Sequence, residues 1–186
     1  MGIPRFDMLE VVEFRAEQYG SEIADILERA GAGVRPVPLV RTGTGSLELR
    51  KAVSDLRTTE SIRSGLYLYC GCWDDAHSAA DSIDRPDGYF WHGIVHRQEP
   101  DPGNAAYWFR KTGVHPVFAR LGEEAGQCGY RIEPTASGRA WDPFAFIEYC
   151  ESARQRPGSK EEQVAMKVQL IEWQLLFDYC ARGSRG

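Results

Sequence analysis

The sequence predicts an all-α protein: a single helical domain over residues 1–186, an irregular bundle of about seven or eight helices. Three observations carry this. Apolar residues recur at intervals of three and four through most of the chain, as in Leu66, Tyr69, Trp73, Ala76, Ala80 and Ile83. Ser, Asp and Asn caps and Pro or Gly breaks fall at the ends of these repeats. Only residues 126–141, polar and Gly-containing, leave room for a small hairpin.

In order along the chain, Asp7 is placed to cap a first helix from about Met8 to Gln18. Gly20-Ser21 restarts a helix to about Ala30, ended by Gly31-Ala32-Gly33. Residues 34–45, rich in Pro and Gly, read as a loop. Ser46 caps a helix over LELRKAVSDL. The 3/4 repeat then predicts one helix from about Ser61 to Ile83, and Arg85-Pro86-Asp87-Gly88 a turn. A helix over 89–98 or 89–99 is ended by Pro100 and Pro102. Asn104 caps a short helix that stops at Gly113, and Pro116 opens another that ends near Gly122. Asp142-Pro143 starts a helix to about Arg154. Ser159 and Glu162 form a capping box for a long last helix ending at Gly183. That helix is apolar on two adjacent stripes, Val164, Val168, Ile171, Leu175 and Met166, Leu170, Trp173, Phe177, a width that belongs in the middle of a bundle.

Composition narrows the functional classes. Hydrophobic residues are 42% and charged residues 26%, an ordinary globular balance. The net charge of −5 is spread along the chain, with no basic stripe to neutralise a phosphate backbone, so nucleic acid is not the expected partner. No apolar run approaches the roughly 18 residues a membrane span needs. The start, MGIPRFDMLEVVEF, has acids where a signal peptide would be apolar. Five scattered cysteines, Cys70, Cys72, Cys128, Cys150 and Cys180, suit reduced packing thiols and a cytoplasmic location better than a disulfide framework.

All four histidines, His77, His92, His96 and His115, lie within residues 74–117. With about 100° per helical residue, His92, His96 and Glu99 fall at about 0°, 40° and −20°, one face of the 89–99 helix. Imidazoles at i and i+4 can ligate one metal ion from a single helix. The sequence is nevertheless His92-Gly93-Ile94-Val95-His96, with glycine where the HExxH motif of zinc proteases has its catalytic glutamate. Glu99 or Asp81 is a candidate base or third ligand. His77 and Asp81, also i and i+4, can pair, and a carboxylate that fixes an imidazole tautomer serves both a metal ligand and a general base. The short turn at 85–88 brings the helix of His77 toward that of His92 and His96. Trp91, Tyr107 and Trp108 are candidate walls for a bound molecule, Arg110 (with Lys111 beside it) an anchor for an anionic group, and His115 a further lining residue.

The run Trp91-His92-Gly93-Ile94-Val95-His96-Arg97, then Glu99-Pro100-Asp101, Asn104-Ala105, Tyr107-Trp108-Phe109-Arg110 and His115-Pro116, resembles a pattern in a group of uncharacterised bacterial and fungal proteins. They share an upstream Asp-x-x-His like Asp74 to His77. The resemblance covers about a quarter of the chain and implies a shared site without naming its reaction.

The expectation is a small-molecule enzyme, a metal-assisted hydrolase or lyase. His92 and His96 would be ligands of a divalent ion (zinc, manganese, iron or nickel) or acid–base groups, with Glu99 or Asp81 as base and His77 as proton carrier. Two alternatives stay open: a non-enzymatic protein binding a small polar or anionic ligand, and a structural or interaction module whose histidines satisfy helix contacts.

Overall fold

A computed structural model describes residues 13–131 and 140–183. Among these the fold is all-α: nine α-helices and a short 3-10 turn, with no strand. The helices are α1 (Ser21–Ala30), α2 (Leu47–Asp55), α3 (Glu60–Tyr69), α4 (Trp73–Asp81), α5 (Pro86–Gln98), α6 (Pro102–Thr112), α7 (Val117–Gln127), α8 (Pro143–Ala153) and α9 (Lys160–Gly183). None is long and apolar enough to cross a membrane.

Several boundaries follow the capping chemistry. Ser46 Oγ accepts from Leu49 N at the start of α2, and Asp142 Oδ1 accepts from Phe144 N and Ala145 N at the start of α8. At α9, Ser159 Oγ accepts from Glu162 N, while Glu162 Oε2 accepts from Gly158 N. These side chains satisfy backbone donors that a helix start leaves unpaired.

Others depart from the sequence reading. The expected 61–83 helix is two helices, α3 and α4, because Cys70-Gly71-Cys72 interrupts it and Gly71 takes φ +76°. Its apolar repeat runs unbroken through the interruption, so periodicity alone missed it. The turn at 85–88 is instead the first turn of α5, with Pro86 at its first position, where a missing N–H is harmless. The cap of α6 is Asp101, which accepts from Asn104 N, and not Asn104 itself. α7 runs past Gly122 to Gln127. Of the first expected helix, residues 16–19 form only a 3-10 turn and the part before residue 13 lies outside the described residues. Of the hairpin expected near 126–141, residues 132–139 also lie outside them, and residues 126–131 and 140–141 form no strand.

As expected from its two stripes, α9 is buried on most sides, packing against α3, α7 and α8. Trp173 and Phe177 of α9 are fully buried, and Trp173 Nε1 donates to Gly65 O of α3. α5 is the second core element, flanked by α4 and α6 and touching α3. Its approach to α6 depends on Gly93, where a Cβ would stand 2.8 Å from the Phe109 ring. The glycine that spoils the HExxH comparison is therefore there for packing.

Candidate metal centre

The site forms where α4 lies along α5. Trp73, in the first turn of α4, donates its indole N–H to Val95 O of α5 at 3.1 Å and so ties the two helices together. One turn further, His77 stacks on Trp73, ring centroids 5.5 Å apart. This sets the His77 imidazole edge-on to both His92 and His96, at centroid distances of 4.4 and 5.1 Å. His92 and His96, a helical turn apart, are parallel to within 6° at 5.0 Å. On the other side Trp108 of α6 stacks on His92 at 3.8 Å and 12°. The indoles of Trp73 and Trp108 thus back two of the three imidazoles.

One ligand nitrogen from each of His77, His92 and His96 lies within 4.8 Å of the others. The His77 and His92 Nε2 atoms are 3.0 Å apart, close enough for one to donate a hydrogen bond to the other. Two nitrogens sharing a tetrahedral ion at zinc–imidazole distances of about 2.0–2.1 Å would be separated by roughly 3.3 Å. The His77–His92 pair stands near that spacing, and the His96 nitrogen lies within 4.8 Å of both.

Two of the remaining ring nitrogens have a carboxylate nearby. His96 Nδ1 lies 3.2 Å from Glu99 Oε2, leaving Nε2 for the cluster. His92 Nδ1 is buried without a hydrogen-bond partner, and Asp81 Oδ1 is its nearest carboxylate oxygen at 4.0 Å. A carboxylate on the far nitrogen is the usual support of a metal-bound imidazole. His96, Glu99 and Asp101 form a second group of donor atoms within 4.8 Å. Asp101 is already engaged there, with Asn104 N and Nδ2 at 3.0 and 2.6 Å.

Burial above all, then the neighbouring His77, His96 and Lys111, pushes the His92 pKa down to about 3. Burial and His77 likewise lower that of His96, against the opposing pull of Glu99 and Asp101. Both rings are thereby held neutral, the form that ligates metal.

The structure brings together His77, His92, His96, Glu99, Asp81 and Trp108, and adds His77 as third nitrogen donor where Glu99 or Asp81 was expected. Asp81 approaches His92 and not the His77 of its own helix. Tyr107 is half exposed and meets Trp108 edge-on at 5.1 Å.

Three expected residues stand elsewhere. Trp91 is fully buried, its indole against Gly65 of α3, a core residue and not a wall. His115 lies beside Phe90, Phe118 and Tyr179, where its Nδ1 accepts from Val117 N and its Nε2 donates to Asp87. It braces the start of α7 against the start of α5. Arg110 lies over Phe144 of α8, and it is Lys111 that stands over Trp108. Helical phase explains the swap: Lys111 is one turn from Trp108, whereas Arg110 is about 200° around the helix.

The sequence reading also passed over Trp73 as a core residue and Arg41 altogether. Arg41 sits over the Trp73 ring at 4.3 Å and pairs with Asp74 at 3.3 Å. No protein-family model, curated protein or solved structure matches the chain.

Proposed function

We propose that this protein is a metal-dependent enzyme acting on a small polar molecule, a hydrolase or lyase, with His77, His92 and His96 as ligands of one divalent first-row ion. The observation that carries this is the convergence of three imidazoles from α4 and α5, their ligand nitrogens all within 4.8 Å. Neutral nitrogen donors favour zinc, and manganese, iron and nickel are the alternatives. Three protein ligands leave a coordination position for water or substrate, the arrangement of catalytic rather than structural zinc. Such an ion activates a bound water or polarises a substrate oxygen. The protein's part is to fix the ligand geometry: Glu99 holds His96, Asp81 stands within reach of the unpartnered Nδ1 of His92, and Trp73 and Trp108 hold two rings from behind.

The pattern shared with the bacterial and fungal group includes His92, His96, Glu99 and Trp108, and we read it as the mark of this common site. The cysteines among the described residues are not disulfide-bonded, which suits a reducing compartment, and we propose a cytoplasmic location.

Calorimetry on metal-stripped protein tests the centre. One equivalent of zinc should bind, with affinity at least about tenfold lower in His77→Ala, His92→Ala and His96→Ala. A wild type that binds none of zinc, nickel, manganese or iron would overturn the metal reading and leave the His77–His92 hydrogen bond as a structural contact. Metal-dependent turnover in a panel of small esters, amides and phosphate esters would separate an enzyme from a binding protein.

A further inference from the structure

We infer that the molecule acted on carries an oxyanion, a carboxylate or a phosphate, and that the ammonium group of Lys111 receives it beside the metal. This rests on the metal reading above and names the substrate class of the same site.

The argument starts from what surrounds Lys111. Its Nζ lies over three rings, 4.2 Å from the centroid of Tyr89, 4.7 Å from Trp108 and 5.9 Å from Tyr107. The Trp108 indole that carries this ammonium is the one stacked on His92, so the cation and a ligand ring share a single aromatic plate. Most carboxylates around the cluster have a partner, while Asp81 has only the distant Nδ1 of His92 at 4.0 Å. Asp74 faces Arg41, Glu99 faces His96, Asp101 faces Asn104, and Asp84 accepts from the Tyr89 hydroxyl. Arg41, the other cation at the site, is taken by Asp74. Among the described residues, Lys111 has no carboxylate within ion-pair distance.

An exposed cation–π contact is worth only about 0.5–1 kcal/mol, and charge-assisted bonds to an oxyanion are stronger. A divalent ion held by three imidazoles keeps a net positive charge, and the ammonium adds a second, so the two together favour an anionic molecule. Tyr107 is 49% exposed, so the aromatic group around Lys111 reaches the surface.

The test uses cobalt(II) as a visible probe in the full-length protein. Inorganic phosphate and acetate are titrated separately into the cobalt-loaded wild type, Lys111→Gln and Lys111→Arg while the visible absorption of the metal is followed. Cobalt should bind in all three, and each anion titration is run on cobalt-saturated protein. Anion affinity should fall about tenfold in Lys111→Gln, the size of one charge-assisted contact, and largely return in Lys111→Arg. A stronger dependence on Lys111 for phosphate than for acetate would point to a phosphate ester, and the reverse to a carboxylic acid. Cobalt binding with equal anion affinity in wild type and Lys111→Gln overturns this inference alone. No cobalt binding by the wild type overturns the metal reading and this inference with it.

Discussion

Two polar clusters share α5. His96 belongs to one and its neighbour Arg97 to the other, and they differ in completeness. Arg97 is fully buried between α5 and α9. Its Nε and Nη2 donate to Gln169 Oε1 at 3.3 and 3.2 Å, Nη1 donates to Glu172 Oε1 at 3.2 Å, and Nη2 to Glu172 Oε2. Gln169 passes its own donors to the carbonyls of Val37 and Pro38, pinning the loop before α2. The guanidinium lies 4.7 Å from the centroid of Phe146. This network closes on itself. The imidazole cluster does not: three rings crowd together, a buried Nδ1 lacks a partner, and a cation nearby lacks a counter-ion. A closed polar network specifies packing, whereas an open one, with three imidazole nitrogens within 4.8 Å of one another, is a candidate ligand site.

The largest expected effect breaks the closed cluster. Glu172→Ala leaves the Arg97 guanidinium buried without its counter-charge, which should cost about 3–5 kcal/mol in chemical denaturation. Replacing both members, Arg97→Met with Glu172→Leu, should recover most of that loss, since a well-packed apolar pair often matches a buried ion pair. A double variant as unstable as Glu172→Ala would show that the network holds the fold through more than charge pairing.

The second effect is smaller and of opposite character. His92→Leu removes the unpartnered Nδ1 along with a candidate ligand. Metal-free stability should change by no more than about 1 kcal/mol, because losing the unsatisfied buried Nδ1 offsets losing the hydrogen bond to His77. The wild type should gain about 2.7 kcal/mol at zinc concentrations 100-fold above its dissociation constant, and the variant, with affinity at least about tenfold lower, at most about 1.4 kcal/mol. Melting curves with and without zinc measure both. A His92→Leu protein that loses several kcal/mol without metal would place the imidazoles with Arg97, as structural contacts.

The two clusters were unequally legible in the sequence. The i, i+4 spacing of His92 and His96 is local, and helical phase alone puts both rings on one face. Phase would also have chosen Lys111 over Arg110, had Trp108 been taken as the reference. His77 is on a helix of its own, α4, because of the break at Cys70-Gly71-Cys72, which the unbroken apolar repeat conceals. The Arg97–Gln169–Glu172 network was not legible. Gln169 and Glu172 interrupt the apolar band of α9 beside Leu170, Ile171 and Trp173, but their partner is more than 70 residues away in sequence. The caps at Ser46, Asp142 and Ser159 were read correctly because one side chain and its next few backbone amides decide them. What the sequence concealed lies in pairings between distant helices.

The smallest expected effect asks whether His115, the histidine outside the open cluster, behaves as a closed contact. Asp87 stands in the first turn of α5, its Oδ1 3.3 Å from His115 Nε2 and its Oδ2 3.2 Å from Arg85 Nε. The His115 hydrogen bond, more than any other influence, holds the Asp87 carboxyl below its ordinary value. A carboxylate depressed in the folded state adds stability that is fully present above the unfolded-state value, near 3.9, and is lost as pH falls through the lower folded-state value. Asp87→Asn should therefore be less stable than the wild type at pH 6–7, by at most about 1 kcal/mol for a partly exposed group. The gap should narrow below pH 4 and close once the wild-type carboxyl is protonated. Zinc affinity should be the same in both proteins, because His115 takes no part in the centre formed by His77, His92 and His96. A difference that persists unchanged to pH 2 would trace the effect to packing at the start of α5, and altered zinc affinity would tie His115 to the metal centre after all.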